Sequence, residues 1–417
     1  MRVTAAFKRL LALPGVTVTD VEFGTEVVAV TVALRRRKLV CPLCGFTTAS
    51  AYEVRRRDVS RWRHLDLGTW RLEVRAELRR LHCPDHGVRV EAVPFARHGS
   101  GFTADFEALV AWLATKTDKT TITRLVRIDW KTVGRICSRV VADELDPSRL
   151  DGLFEIGVDE VSWRKHHNYL TLVTDHRSRK VVWGAKGKDA KALDGFFDEL
   201  GAERSAQIKA VSMDMGPAFA KSVRAEGHAP QAVICFDPFH VVKAMTDALE
   251  ELRRDIWQQL RQLPDPAVAK RFKGARWALL KNPEDLTAPQ AATLATIRRN
   301  GGALWRGYQL KEAGREIFAG DLDAAEVIEL VDRWCSRAQR SRLAPFVKVA
   351  ATVRKHRDGI LAAVRHGLSN GLIEGLNNKV RLIIRRAYGF HSADAALALV
   401  MLSCGPIDLR LPHERAA

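Results

Sequence analysis

Four aspartates close apolar runs in the middle of the chain: Asp159 after FEIGV, Asp175 after YLTLVT, Asp214 after IKAVSM and Asp237 after QAVICF. A carboxylate at the end of a strand is held by a rigid element yet open to solvent, which is what a metal-binding acid needs. Far downstream, SNGLIEGLNNKVRLIIRR has a helical period. Asn370, Glu374, Asn377 and Arg381 recur there at i, i+4, i+7 and i+11, one polar stripe suited to hydrogen-bonding phosphates. Leu372, Leu376, Val380 and Ile383 fall on a different face, free to pack on a sheet.

Asp159, Asp214 and Glu374 are the trio that chemistry would use. Three carboxylates offer hard oxygen ligands, which suit Mg²⁺ or Mn²⁺ and not zinc. Two such ions about 3.5–4 Å apart activate a water or a 3′-hydroxyl and steady the leaving oxygen during in-line attack on a phosphodiester. The sequence has no GxxxxGK[ST] loop, so nucleotide hydrolysis has no support.

A softer ligand set lies near the start. Cys41-Pro-Leu-Cys44-Gly is answered by Cys83-Pro-Asp-His86-Gly, two knuckles each closed by glycine, which together offer Cys41, Cys44, Cys83 and His86 to a tetrahedral zinc. His64 and His82 are competing ligands of lower rank. Without metal, a segment this basic and short of apolar bulk is expected to fold poorly.

These residues need elements to place them. Residues 1–34 read as a short amphipathic helix and two strands, with Val28, Val30 and Val32 alternating; Leu72, Val74, Ala76 and Leu78 alternate again between the knuckles. From Thr103 the period becomes helical. FEALVAWLATK is followed by TTITRLVR, capped by Thr120 or Thr121, and by WKTVGRICSRVVADE, capped by Asp129. A tight turn before a helix bearing Lys131, Arg135 and Arg139 is the layout of a helix-turn-helix DNA reader. Residues 154–237 then give strand, strand, strand, helix, strand, helix, strand. If the first three strands form a meander and the fourth returns through a helix beside the first, Asp159 and Asp214 stand on neighbouring strands. After Phe239 strand signals vanish for a long stretch marked by Trp257, Trp277, Trp305 and Trp334 and broken by Pro264, Pro266, Pro283 and Pro289, an all-helical block with its own core.

The bulk numbers agree. At 417 residues the chain is too long for one ordinary core. With 67 Lys+Arg against 49 Asp+Glu the net charge is +18, an excess most often directed at nucleic acid. Arginine clusters at Arg35 to Lys38, Arg55 to Arg57, Arg79–Arg80 and Arg385–Arg386 favour phosphate contacts. Seven scattered cysteines argue against a disulfide scaffold and for a reducing interior. The early apolar run LLAL stops at Pro14, and AALALVMLSC is about half a membrane span, so a cytoplasmic protein with no membrane partner is expected.

The knuckles CPLCG and CPDHG, the run IGVDE with YLTLVTD, then VSMDM, FDPFHVVK and SNGLIEGLNNKVRLIIRRAYGF resemble the ISL-three group of bacterial insertion-sequence transposases, from about residue 38 to 400. The resemblance implies a DDE enzyme with a ribonuclease-H-like core, whose three acids match Asp159, Asp214 and Glu374, and makes the helical block an insertion within that core. Asp237-Pro-Phe-His240 resembles a (C/D)xxH signature of related transposases, and a supporting role near the DNA is expected for it; read from the residues alone, Asp237 is a helix N-cap and His240 a first-turn histidine. The expected architecture is a multidomain α+β protein. Residues 1–100 form a zinc-binding β domain, 101–150 a helix-turn-helix domain, 151–240 the first part of the α/β core, 241–368 the helical insertion, and 369–417 the core's closing helices. The expected function is binding of terminal inverted repeats, then metal-dependent strand cleavage and transfer to target DNA, by a homodimer or larger assembly on double-stranded DNA. Arg381, Arg385 and Arg386 are further candidates to hold DNA. The rival readings are a DNA-binding regulator without catalysis and a nuclease that cuts without joining.

Overall fold

The computed structural model describes residues 2–52, 59–165, 167–262, 264, 272, 274–320, 322–368 and 371–414, excluding the side chains of 371–374. Arg55 to Arg57, Pro266 and Asn370, and the side chains of Leu372 and Glu374, therefore lie outside the described residues. The chain packs as two units, Met1–Arg149 with Leu382–Ala417, and Leu150–Arg381.

In the first unit the helix Val3–Leu11 precedes β1 (Val16–Phe23) and β2 (Val27–Leu34). β3 (Leu39–Val40) and β4 (Thr47–Thr48) form the first knuckle hairpin, and β5 (Val59–Leu67) and β6 (Trp70–Glu77) form a longer one. β7 (Arg80–Cys83) and β8 (Gly87–Val90) form the second knuckle hairpin. The large sheet runs β1-β2-β6-β5. The alternating residues are its core: Val28, Val30, Val32, Leu72, Val74 and Ala76 are buried with Phe7, Trp62 and Phe95. The sheet thus buries an apolar face of its own, and the two short knuckle hairpins bury a smaller cluster of Leu39, Cys41, Leu81 and Cys83.

The helices Ala104–Lys116, Lys119–Val126 and Trp130–Glu144 follow. Asp129 caps the third, its carboxylate accepting the Thr132 N–H at 2.9 Å. The second is capped not by Thr120 or Thr121 but by Asp118, which accepts both the N–H and the hydroxyl of Thr121. A carboxylate is the stronger acceptor for a helix's free N–H groups, so it takes the cap from the neighbouring hydroxyls. Against these helices packs Ala393–Cys404, whose eight buried residues leave it no polar face.

The second unit holds β9 (Glu155–Arg164), β10 (Asn168–Asp175), β11 (Lys180–Lys186), β12 (Ala210–Met213) and β13 (Val233–Phe236). They form one sheet in the order β11-β10-β9-β12-β13. The first three are antiparallel, whereas β12 lies parallel to both β9 and β13. The meander with a helical return is therefore present, and β12 stands beside β9 as the order of elements required. Ile156, Val158, Val211 and Met213 face the helices Ala190–Leu200 and Pro217–Val223. On the opposite face Ala210 and Cys235 pack with Ala363 and Leu368.

From Pro238 to His366 the described residues of the chain are helical or in turns, with no strand among them. Met245, Leu249, Trp334, Phe346 and Ala350 centre a core separate from the sheet's, and the Trp334 indole donates to the Leu310 carbonyl at 2.8 Å. Trp277, by contrast, is exposed. The last helix of this block, Arg357–His366, lies against β13. It comes so close that a Cβ on Gly359 would sit 2.4 Å from the Phe236 ring and 3.1 Å from the Ile234 carbonyl. The helix Gly371–Arg386 follows, with Val380 and Ile383 buried. Gly359→Ala is therefore expected to force β13 and the helix Arg357–His366 apart, at a cost of about 1–3 kcal/mol in a urea melt.

Candidate functional sites

Asp159 is not at the end of its strand, as its sequence position suggested. β9 runs on to Arg164 because its hairpin partner β10 continues to pair with it, Asp159 opposite Leu172. It is the parallel neighbour that stops: β12 pairs with β9 only as far as Ser212 opposite Gly157. Two residues beyond that last pair come Asp159, still within β9, and Asp214, just past the end of β12. The period of two puts Asp159 on the face of β9 away from Val158, near where the parallel ladder ends. Asp175 closes β10 at the opposite end, where it pairs with Ile156 and its carboxylate accepts the N–H groups of Arg177 and Ser178 in the turn. It is a turn residue and not part of the acidic site.

Both acids are oriented by short-range partners. The Glu160 N–H donates to Asp159 Oδ1 at 2.7 Å, and the Asn377 side-chain amide donates to Oδ2 of the same carboxylate. The Gly216 N–H donates to Asp214 Oδ1 at 3.0 Å, and a Cβ on Gly216 would lie 2.9 Å from that oxygen, so only glycine leaves the aspartate its place. Burial pushes the Asp159 carboxyl above its usual range. The Glu160 N–H, His240 and Asn377 work against that rise, and the charge of Asp214 adds to it. Glu160 is raised in the same way, by burial first and then by Asp214 and Asp159, with Lys188 and His240 opposing. Glu160 is thus an acid of this neighbourhood that motif reading passed over; its one signal was its place beside Asp159.

Asp237 is the N-cap of the long helix Pro238–Leu260: it is 2 % exposed, accepts the Phe239 N–H at 3.0 Å, and is followed by Pro238 in the first turn. His240 lies one turn in, its Nε2 3.9 Å from the Asp237 carboxylate. Its side chain is among the groups that oppose the rise at Asp159. Glu374 is on the helix Gly371–Arg386, three residues before Asn377.

The phosphate-binding stripe divides. Asn377 is buried and faces Asp159, whereas Arg381 is exposed, donating to the Asn378 side chain at 3.0 Å. Arg385 is exposed; Arg386 reaches the carbonyls of Ala114 and Thr115, where it ties the helix end to Ala104–Lys116. On the helix Trp130–Glu144, Lys131 and Arg135 are exposed, Arg135 donating to the Thr132 hydroxyl. Arg139 instead pairs at 2.7 Å with Glu107, which is fully buried and also holds Arg97. Glu107 needs a cation, and that demand fixes Arg139 inside the fold.

In the first unit the ligand atoms of Cys41, Cys44, Cys83 and His86 lie within 4.8 Å of one another. Cys44 and Cys83 sulfurs are 3.5 Å apart, His86 Nδ1 is 3.5 Å from Cys83 Sγ, and it is 3.9 Å from Cys41 Sγ. A tetrahedral ion bound at about 2.3 Å to sulfur has ligand edges near 3.8 Å, so this set has the dimensions of a metal site. Gly45 and Gly87 adopt φ of 74° and 65°, the left-handed turn each knuckle requires. His64 is elsewhere, buried with its Nδ1 2.7 Å from the Thr103 hydroxyl; neither it nor His82 joins the group.

A sheet with Asp159 on β9 and Asp214 just past β12, preceded in the chain by a helix-turn-helix segment, belongs here to a DNA-transposing enzyme. Residues 156–399 match the transposase model of the ISL3 group, and 91–141 match the helix-turn-helix domain of transposase family ISL3. The chain belongs to this family of insertion-sequence transposases. It is 43% identical to the transposase for insertion sequence element IS1557 of Mycobacterium tuberculosis, in strain CDC 1551 / Oshkosh and in strain ATCC 25618 / H37Rv, over 97% of this chain and 96% of the relative. It is 29% identical to the transposase for insertion sequence element IS1001 of Bordetella parapertussis, over 85% of this chain and 86% of that protein.

Replacing Cys41 and Cys83 together by serine is expected to remove bound zinc, measured by elemental analysis, while the β1-β2-β6-β5 sheet keeps its far-ultraviolet signature. His64→Ala should leave zinc content unchanged.

Proposed function

We propose that this transposase binds the terminal inverted repeats of its element and cuts and joins DNA at a two-cation site held by Asp159, Asp214 and Glu374. The observation that carries the reading is the register of β12 on β9, which leaves Asp159 and Asp214 near one another where the parallel ladder ends. Two carboxylates brought this close repel unless cations lie between them, and hard oxygen ligands suit Mg²⁺ or Mn²⁺. Glu374 would supply the third carboxylate from the helix whose Asn377 already reaches Asp159. The five-strand order, with three antiparallel strands and two parallel ones, supports a ribonuclease-H-like core, and the separately cored block between Pro238 and His366 supports an insertion within it. The division into five segments at residues 100, 150, 240 and 368 is proposed on the same grounds.

When bound, the paired cations activate the attacking water or 3′-hydroxyl and stabilise charge on the leaving oxygen. The chain's own part is positional. Glu160 N–H and Asn377 hold the Asp159 carboxylate, Gly216 N–H holds that of Asp214, and His240 adds a polar group beside them. Lys131 and Arg135 on the second helix of the helix-turn-helix, and Arg381 and Arg385 on the Glu374 helix, are exposed and fit DNA phosphates. Cys41, Cys44, Cys83 and His86 would hold a structural zinc, pinning the knuckle hairpins. Synapsis of two element ends implies a homodimer or larger assembly. Among the described residues no helix is long and apolar enough to cross a membrane, and a cytoplasmic site of action on the chromosome follows from the DNA substrate.

Asp159→Asn, Asp214→Asn and Glu374→Gln are each expected to reduce Mg²⁺-dependent nicking of a labelled element end by at least about 10³-fold while leaving gel-shift affinity for that end intact. The wild-type protein should join a pre-cut end bearing a free 3′-hydroxyl to a second duplex. Cutting without joining would show a nuclease instead, and full nicking by any of the three variants would remove that acid from the site.

A further inference from the structure

We infer that Asn377 is a positioning residue that sets the orientation of the Asp159 carboxylate, so that this side chain governs cation affinity and not DNA contact. The inference rests on the reading of Asp159 as a cation ligand. Asn377 is 3 % exposed, which withholds it from a phosphate backbone. Its amide nitrogen donates to Asp159 Oδ2 across a separation of 218 residues, while Oδ1 takes the Glu160 N–H at 2.7 Å. One hydrogen bond on each oxygen fixes the plane of the carboxylate and still leaves each oxygen a lone pair. The donor is also neutral. A lysine or arginine in its place would hold the carboxylate equally well but would cancel the negative charge that attracts a cation.

The position in the helix adds a second consequence. Asn377 follows Glu374 by three residues, within one turn of the helix Gly371–Arg386. The contact to Asp159 therefore registers against β9 the helix that carries the third acid, before any cation does so. A site assembled this way needs less reorganisation on binding its ions. Partners that hydrogen-bond a metal's ligands typically change affinity or activity by about 10- to 100-fold when removed.

The test is the dependence of nicking on Mn²⁺ concentration, measured with the full-length protein on a labelled element end, beside gel-shift affinity without metal and a thermal melt. Asn377→Leu keeps the branching and number of side-chain heavy atoms, is somewhat bulkier, and removes the donor. It is expected to raise the half-saturating Mn²⁺ concentration by about 10-fold or more, with the rate largely recovered at saturating Mn²⁺ and DNA affinity unchanged. If the leucine variant does not fold, Asn377→Ser carries the same expectation, because a serine hydroxyl is too short to reach Asp159. A half-saturating concentration equal to wild type in the folded variant, or a loss of DNA affinity in its place, overturns the inference. Asp159→Asn run alongside separates the two levels. If it nicks normally, the acid assignment fails first; if it is inactive and the Asn377 variants show an unshifted Mn²⁺ curve, only the role of Asn377 fails.

Discussion

Two like charges on neighbouring strands are the constraint around which the second unit is built. Parallel strands lie about 4.8 Å apart, and carboxylates brought near one another disfavour each other's charged form. Burial raises the cost, as the upward shift of Asp159 records. Several neighbours of the pair answer part of that cost, while the Glu160 carboxyl adds to it. The Glu160 and Gly216 N–H groups and the Asn377 amide each donate a hydrogen bond to a carboxylate oxygen, and His240 offers a counterweight to Asp159. None of these groups carries a full fixed positive charge. The carboxylates are thus oriented by hydrogen bonds.

The rest of the unit keeps the pair in register. The β9 to β11 meander is extended and rigid, and β12 can lie parallel to β9 only because the helix Ala190–Leu200 carries the chain back across the sheet. β13 repeats the manoeuvre and delivers Asp237 to the start of the long helix. Close packing of Gly359 on Phe236 then seats the end of the helical block on the sheet, shortly before the chain enters the helix that carries Glu374 and Asn377.

What could be read from the residues alone was local or periodic. Valines at alternate positions gave the first sheet, apolar runs separated by helical periods gave the order of β9 to β13, and the Cys-x-x-Cys and Cys-x-x-His spacings singled out the four side chains that the fold brings together. What escaped depended on a partner distant in sequence. Arg139 looks like a DNA contact on a helical wheel, but buried Glu107 binds it; Arg386 looks equally free, but two carbonyls at the end of another helix hold it. Asn377 has the spacing of a phosphate ligand and the environment of a carboxylate clamp, a difference visible only once Asp159 is beside it. Strand length was similarly hidden, since Asp159 ends nothing in its own strand and marks only where its parallel neighbour stops. Asp118 took the helix cap from two threonines because acceptor strength, and not mere residue class, decided the contest.

The central claim is that three acids distant along the chain share one pair of cations. Fe²⁺ loaded in place of Mg²⁺, then treated with ascorbate and peroxide, cuts the backbone beside wherever the metal is bound. The account predicts fragments ending near residues 159, 214 and 374 together, all suppressed by excess Mg²⁺. Cuts near the first two without the third, or a pattern that Mg²⁺ does not compete away, would contradict it.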